Sequence, residues 1–371
     1  MKKTVCLIFI MIFVLTGCSG AHGTVSAGGD TFNITDHAGN TVAVPKKTDR
    51  IAVCDIFPLP SVLAVFFNSA DRIVAMSPTS MSAAKNGLLS ELYPEILNAD
   101  TSAISGTDVN TEELMKLSPQ LVFYNESSTA LGEKLRLAGF NAVAVSVNRW
   151  DYDAVETLDK WITLLEEIFP DEAAGRAELV RKYSREYEEL VKERMAGCDA
   201  GEKRRVFFLF QYSAGAIVTS GKNFFGQWWC DAVGAINVAE GLESDNSVPV
   251  TMEQIYEWNP DTILITNFTT AGAEDLCSDT VAGYDWSGID AVRNRRIYKM
   301  PLGLYRSYTP GADTPVTLLW LAKTLYPDLF EDIDVIQKTV EYYEKVFDVS
   351  LTAEQAESIF NPSVAAGKTD F

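Results

Sequence analysis

One ten-residue pattern occurs twice in this chain, and it constrains the fold more than any other feature. Asn110-Thr111-Glu112-Glu113-Leu114-Met115-Lys116-Leu117-Ser118-Pro119 precedes the apolar run Leu121–Tyr124. Thr251-Met252-Glu253-Gln254-Ile255-Tyr256-Glu257-Trp258-Asn259-Pro260 precedes the apolar run Thr262–Ile265. At a constant offset Glu112 falls on Glu253, Leu114 on Ile255, Leu117 on Trp258 and Pro119 on Pro260. Each copy reads as a polar N-cap, a helix of little more than one turn with one apolar side, a proline and a buried strand. Such units recur in many α/β proteins, so coincidence stays open. The shared glutamate, and the second copy's place after a long helix, favour two lobes built on one plan.

The remaining segments fit that plan. Thr31 to Val44 alternates and turns at Ala38-Gly39-Asn40, as a β-hairpin does. Strands are expected at 50–54, 72–76, 121–124 and 141–147, with helices at 62–67, 111–117 and 131–138 between them. A second series follows, with strands at 205–210, 262–265 and 296–298 and helices at 225–233, 252–258, 315–325 and 335–347. Strands alternating with helices imply parallel βαβ units. Between the series lie two longer helices. Asp153 to Phe169 is stopped by Pro170. Glu172 to Met195 carries Ala173, Ala177, Val180, Tyr183, Tyr187 and Val191 at helical spacing. Its roughly 36 Å length exceeds one small domain, so it could bridge two. The expected fold class is therefore α/β, with two Rossmann-like lobes joined by a long rigid interdomain helix. The divisions are 18–30 as a flexible tether, 31–150 as the N-terminal lobe, 151–196 as the helical segment, 197–348 as the C-terminal lobe and 349–371 as a tail, loose after Asn361.

The N-terminus predicts export. Lys2 and Lys3 precede an apolar run from Val5 to Leu15, too short for the roughly 20 residues that span a bilayer. Leu15-Thr16-Gly17-Cys18 follows, and the quartet resembles a bacterial lipobox. Residues 1–17 are thus expected to be a lipoprotein signal peptide and Cys18 the lipidated mature N-terminus, placing the protein on the extracytoplasmic face of the cell membrane. An ordinary signal peptide with a chance cysteine is the plainer alternative. A net charge of −20 over 371 residues argues against nucleic acid, whose phosphates need a basic surface. Cys54, Cys198, Cys230 and Cys277 include no C-x-x-C pair, which disfavours a zinc or redox site. Buried free thiols are favoured over bridges, though pairing cannot be read from spacing.

Taken together, these segments resemble the class III substrate-binding lipoproteins of ABC importers, the group that handles ferric siderophores, haem and vitamin B12. Thr35 to Pro45 is similar to that family's opening hairpin, Arg50-Ile51 to its first strand, and the two Glu-bearing helices to its signature in each lobe. The resemblance implies that Glu112 and Glu253 dock on a dimeric permease driven by a cytoplasmic ATPase. It also implies that closure about the single bridge helix is small. The cargo implied is a ferric siderophore or related metal chelate, with haem, cobalamin, a molybdate-type oxyanion or free metal as alternatives.

In open α/β sheets, ligands bind beyond the carboxyl ends of the strands. With two lobes those loops face each other. The expected ligand-binding residues are Phe57, Thr79 and Asn125 on one side, with Tyr212, Phe225, Trp228, Asn267, Tyr305, Arg306 and Tyr308 on the other. Aromatic faces with an arginine suit a planar or anionic ligand, and of Trp228 and Trp229 at least one should be core. Tyrosine and aspartate oxygens could alternatively ligate ferric iron. His22 and His37 are the only histidines and fall outside the cleft loops, so a Ser-His-Asp triad has no base. Gly215 to Lys222 departs from the P-loop spacing, and Asn223 stands where Ser or Thr is needed. An extracellular carboxylate-dependent hydrolase remains the alternative class, and a receptor that signals instead of delivering is a third. No cofactor, resident metal or nucleic-acid partner is expected, and the protein is expected to be monomeric.

Overall fold

The computed structural model describes residues 30–368 except 245, 279 and 282. The signal segment, most of the tether, Cys18 and His22 lie outside the described residues.

Two four-stranded parallel sheets form the two lobes. In the first, the spatial order is Ile73–Met76, Ile51–Val53, Leu121–Asn125, Ala142–Val145. In the second it is Ile236–Asn237, Arg205–Leu209, Thr262–Ile265, Ile297–Lys299. Within each lobe the sheet strands follow the same order: second, first, third, fourth. The repeated segments occupy equivalent places, since Thr111–Lys116 and Met252–Trp258 each lead into the third strand of their sheet. Asn110 accepts the Glu112 and Glu113 amides, and Thr251 accepts that of Gln254, so both caps form as their residue types dictate. The two-lobe α/β plan thus stands.

The bridge helix runs Pro170–Met195, with Pro170 at its first position where a missing N–H costs nothing. All six residues of its apolar stripe are buried. They join a single hydrophobic cluster that includes Val53 and Phe123 of the first sheet and Val206 and Leu264 of the second. The helix is therefore cemented into both lobes. The opening hairpin Thr31–Thr35 and Thr41–Pro45 forms as expected. Asp36 accepts the Ala38 and Asn40 amides, and Gly39 supplies the left-handed φ of +80°.

Four features differ from the sequence reading. Ser77-Pro78 opens a helix, Pro78–Asn86, because Ser77 caps it and proline suits its first turn. Ala216–Ser220 is the middle strand of an antiparallel sheet with Gln211–Ser213 and Ser247–Val250, none of them among the strands expected from sequence. Ala353–Phe360 is a helix, capped by Thr352, within the stretch read as tail. Residues 362–368 are not loose: Val364–Gly367 makes a 3-10 turn in which Ala366 is fully buried.

Candidate ligand-binding site

The carboxyl ends of the two sheets meet along a seam, and buried carboxyl groups fix the loops on both sides. On the N-lobe, Asp55 accepts the Asn125 amide at 2.6 Å and the Ser128 hydroxyl at 2.5 Å. Burial raises its pKa, and those bonds oppose the rise. Asn125 in turn accepts from the Ser127 amide and hydroxyl. Thr79 is buried in the first turn of Pro78–Asn86, and Ser80 donates to the Phe57 carbonyl at 2.8 Å.

On the C-lobe, Asp313 shapes the loop between Ile297–Lys299 and the helix Thr314–Leu325. It accepts the Leu304 amide at 2.7 Å and the Tyr343 hydroxyl. Burial pushes its carboxyl up to about 6. Gly303 has no room for a side chain, because a Cβ there would lie 2.6 Å from Asp313 Oδ2. Asn267 is fully buried and donates to the carbonyls of Met300 and Pro301 at 2.7 and 3.0 Å.

This loop holds Arg306 at 0% exposure. One guanidinium nitrogen, Nη2, donates to the Ala366 carbonyl at 2.6 Å, and the group lies 4.7 Å from the Phe268 ring centroid. Its Nε and Nη1 make no hydrogen bond, nor do the Tyr305 hydroxyl, the Ser307 hydroxyl and Asn267 Oδ1. The Tyr305 hydroxyl is close enough to interact electrostatically with the guanidinium, without hydrogen-bond geometry. Burial lowers the Arg306 pKa from its ordinary value. Nearby, Lys299 donates to the Thr269 and Ala271 carbonyls, each at 2.7 Å. Burial draws its pKa down to about 7, and the Arg306 charge adds to that fall. A desolvated guanidinium with unused donors costs free energy unless an anion pairs with it. The cluster therefore holds buried nitrogen and hydroxyl donors that have no partner among the described residues.

The other expected contacts divide. Phe57 packs against Ala83, Leu302, Tyr305 and Ala366 in the seam. Trp228 is half-buried on a crevice of about 980 Å³, shared with Trp150, Tyr152, Lys222 and several carboxylates. Trp229 is core and donates to the Tyr308 carbonyl. Phe225 is buried edge-on to Tyr152 at 5.0 Å and does not line the crevice. Tyr152 and its neighbour Asp151 both hold left-handed backbone, with φ of 58° and 50°, a strain that folds tolerate at clefts. Two tyrosines correct the expectation. Tyr212 accepts the Trp286 indole N–H inside the C-lobe core, because its strand turns that ring away from the seam. Tyr308 donates to Ser220 and accepts from the Gly226 amide at 0% exposure, so it is a strut between loops.

His37 accepts the Ser146 amide and packs on Trp150, and burial lowers its pKa. Among the described residues no group of three His, Cys, Asp or Glu is placed to hold a metal. Cys54 and Cys230 are buried thiols, and Cys198 and Cys277 are partly exposed. Glu112 and Glu253 are exposed in the first turns of the two equivalent helices, and neither has an ion-pair partner among the described residues. Sequence reasoning missed Lys299, Asp313 and Ala366, whose places depend on the tertiary course of the chain. A lysine at the end of the short strand Ile297–Lys299 was an available signal.

The sequence model described as periplasmic binding protein matches residues 59–302. The chain is 25% identical over 345 residues to the molybdate-binding protein MolA of Haemophilus influenzae, covering 87% of this chain and 93% of that protein. It is 24% identical to the ABC transporter substrate-binding lipoprotein YvrC of Bacillus subtilis, covering 81% of this chain and 87% of that one. The crystal structure of a periplasmic solute binding protein from Veillonella parvula superposes with a TM-score of 0.78 at 27% identity, covering 90% of this chain and 97% of that chain. Two like lobes braced by one bridge helix, and a family match across most of both, place the chain in the periplasmic binding protein family, the class III solute-binding proteins that serve ABC importers.

Proposed function

We propose that this protein captures a compact, oxygen-rich anion between its lobes and hands it to an ABC permease. The observation that carries the reading is Arg306, fully buried with Nε and Nη1 unpaired and the Tyr305 hydroxyl beside it. Charge-assisted hydrogen bonds to an oxyanion are about twice as strong as neutral ones and would satisfy those donors. Lys299 lies close by, though burial weakens its hold on its positive charge, and Asp313 gives up its negative charge more readily than an ordinary carboxyl. The Haemophilus relative is named for molybdate, a ligand of this class. Its chemistry supports an oxyanion over the siderophore-type chelate expected from sequence.

The wide crevice supports a second reading, a bulkier metal chelate stacked on Trp150, Tyr152 and Trp228. Its walls carry Asp151, Asp153, Glu156, Asp231 and Glu240 against a single lysine, Lys222. That balance repels an anionic chelate and favours a neutral or cationic one. Calorimetric titration separates the readings. A saturable one-to-one heat with molybdate, tungstate or sulfate, and none with ferric siderophores, haemin or cobinamide, supports the oxyanion. The reverse pattern moves the cargo to the crevice.

Glu112 and Glu253 present one carboxylate per lobe at equivalent positions, an arrangement suited to a two-fold permease. Exposed pairs contribute only about 0–1 kcal/mol each, so they set orientation more than affinity. Leu15-Thr16-Gly17-Cys18 supports anchoring by lipid at Cys18, as in the relative named a lipoprotein.

A further inference from the structure

Residues 362–368 lie in the seam and touch both lobes. Lys368 accepts the Ser82 hydroxyl of the N-lobe at 2.7 Å, and Ala366 accepts Arg306 Nη2 of the C-lobe at 2.6 Å. Ala366 is fully buried and packs with Ala83, Leu302 and Tyr305, with Phe57 against them. Gly367 fits only because it lacks a side chain: a Cβ there would lie 2.1 Å from the Thr269 carbonyl oxygen. The Thr269 carbonyl is in turn held by Lys299. The helix Ala353–Phe360 anchors the segment, through the Leu302 amide donating to the Ile359 carbonyl and through Phe360 stacked on Trp320.

We propose that residues 363–368 are a built-in placeholder, seated on the Arg306 guanidinium before capture and displaced by the arriving anion. This deepens the oxyanion reading and rests on it for the identity of the competitor. A neutral carbonyl satisfies one guanidinium nitrogen and leaves two unpaired. An oxyanion engages more of them with full charge, which favours exchange of strap for ligand. Until then the strap covers a desolvated cation and ties the lobes together. Its occupancy lowers apparent affinity by the fraction of molecules in which the guanidinium is uncovered.

Two variants test this: a chain ending at Asn361, and Gly367→Val in the full-length chain, whose side chain cannot seat against Thr269. The ligand-independent readout is phenylglyoxal modification of Arg306, followed by peptide mass mapping. Both variants should be modified at least about tenfold faster than the wild type at equal thermal stability. The second readout is the molybdate dissociation constant, expected to tighten roughly tenfold, or about 1.4 kcal/mol. Unchanged Arg306 modification in both variants overturns the placeholder, because something else then covers the guanidinium. Molybdate binding that weakens in both variants also overturns it, since the strap would then be a wall of the site. Faster modification with no binding of molybdate, tungstate or sulfate by any form keeps the strap and removes the oxyanion reading.

Discussion

Gly87 and Gly303 meet across the seam with no room for a side chain on either. A Cβ on Gly87 would lie 2.6 Å from the Gly303 carbonyl oxygen, which also accepts the Leu88 amide at 2.9 Å. A backbone contact this close between lobes, beside a core that runs through the bridge helix, leaves little freedom for wide opening. Gly87→Val should therefore push the lobes apart at this end. We expect a loss of about 1–3 kcal/mol, the usual cost of overpacking, read by denaturant titration. Small-angle scattering should show a larger radius of gyration, and an unchanged radius would mean the seam repacks around the new side chain.

Arg306 should trade stability for capture. Replacing a buried, under-paired cation with an apolar side chain of similar length removes a desolvation cost. Arg306→Met is expected to raise stability by about 1–3 kcal/mol and to abolish anion capture. Arg306→Lys should not rescue capture, because one ammonium cannot reproduce the guanidinium fork. Thermal melts and calorimetry on both variants check this; a destabilised Arg306→Met would show that the guanidinium is well paired.

Stability should vary with pH through two buried groups of opposite sign. Lys299 falls to about 7 in the folded protein from an ordinary 10.5. Between those values the unfolded chain holds more protons, so stability rises with pH. Asp313 rises to about 6 from 3.8. Between those values the folded protein holds more protons, so stability falls as pH rises. Lys299→Met should flatten the alkaline rise and Asp313→Asn the acid-side fall, each by on the order of 1–2 kcal/mol. Melting curves from pH 4 to 10 measure both, and slopes identical to wild type would contradict the assignment.

The two exposed glutamates should separate capture from delivery. Charge reversal at both Glu112 and Glu253 is expected to leave ligand affinity within about twofold, since exposed charges this remote act little on a buried site. Uptake by cells or proteoliposomes carrying the permease should fall by at least roughly tenfold, through lost orientation. Normal import by the double variant would reassign those carboxylates to ordinary solvated surface.

The parts of the fold legible from sequence are those written in local chemistry. The repeated N-cap, short helix, proline and strand land at equivalent places because capping and strand burial are local effects. The bridge-helix stripe is buried throughout for the same reason. Ser77-Pro78 carried a local signal too, a cap followed by a first-turn proline, although it reads equally as a turn. The site was less legible. Arg306, Tyr305, Phe57 and Trp228 border the seam or its crevice, whereas Tyr212 and Tyr308 spend their hydroxyls inside the C-lobe. Nothing in an aromatic residue's own sequence context tells which side of a loop it faces. The strap was illegible, since its short run of mostly small residues has no helical period and its place depends on Arg306, some 60 residues earlier in the chain.

The most direct measurement is anomalous diffraction from crystals grown with tungstate. A single tungsten peak within hydrogen-bond reach of Arg306 and Tyr305, with Ala366 moved off the guanidinium, is the expected result. A peak lodged instead between Trp228 and Tyr152, or none in the seam at saturating tungstate, would contradict it.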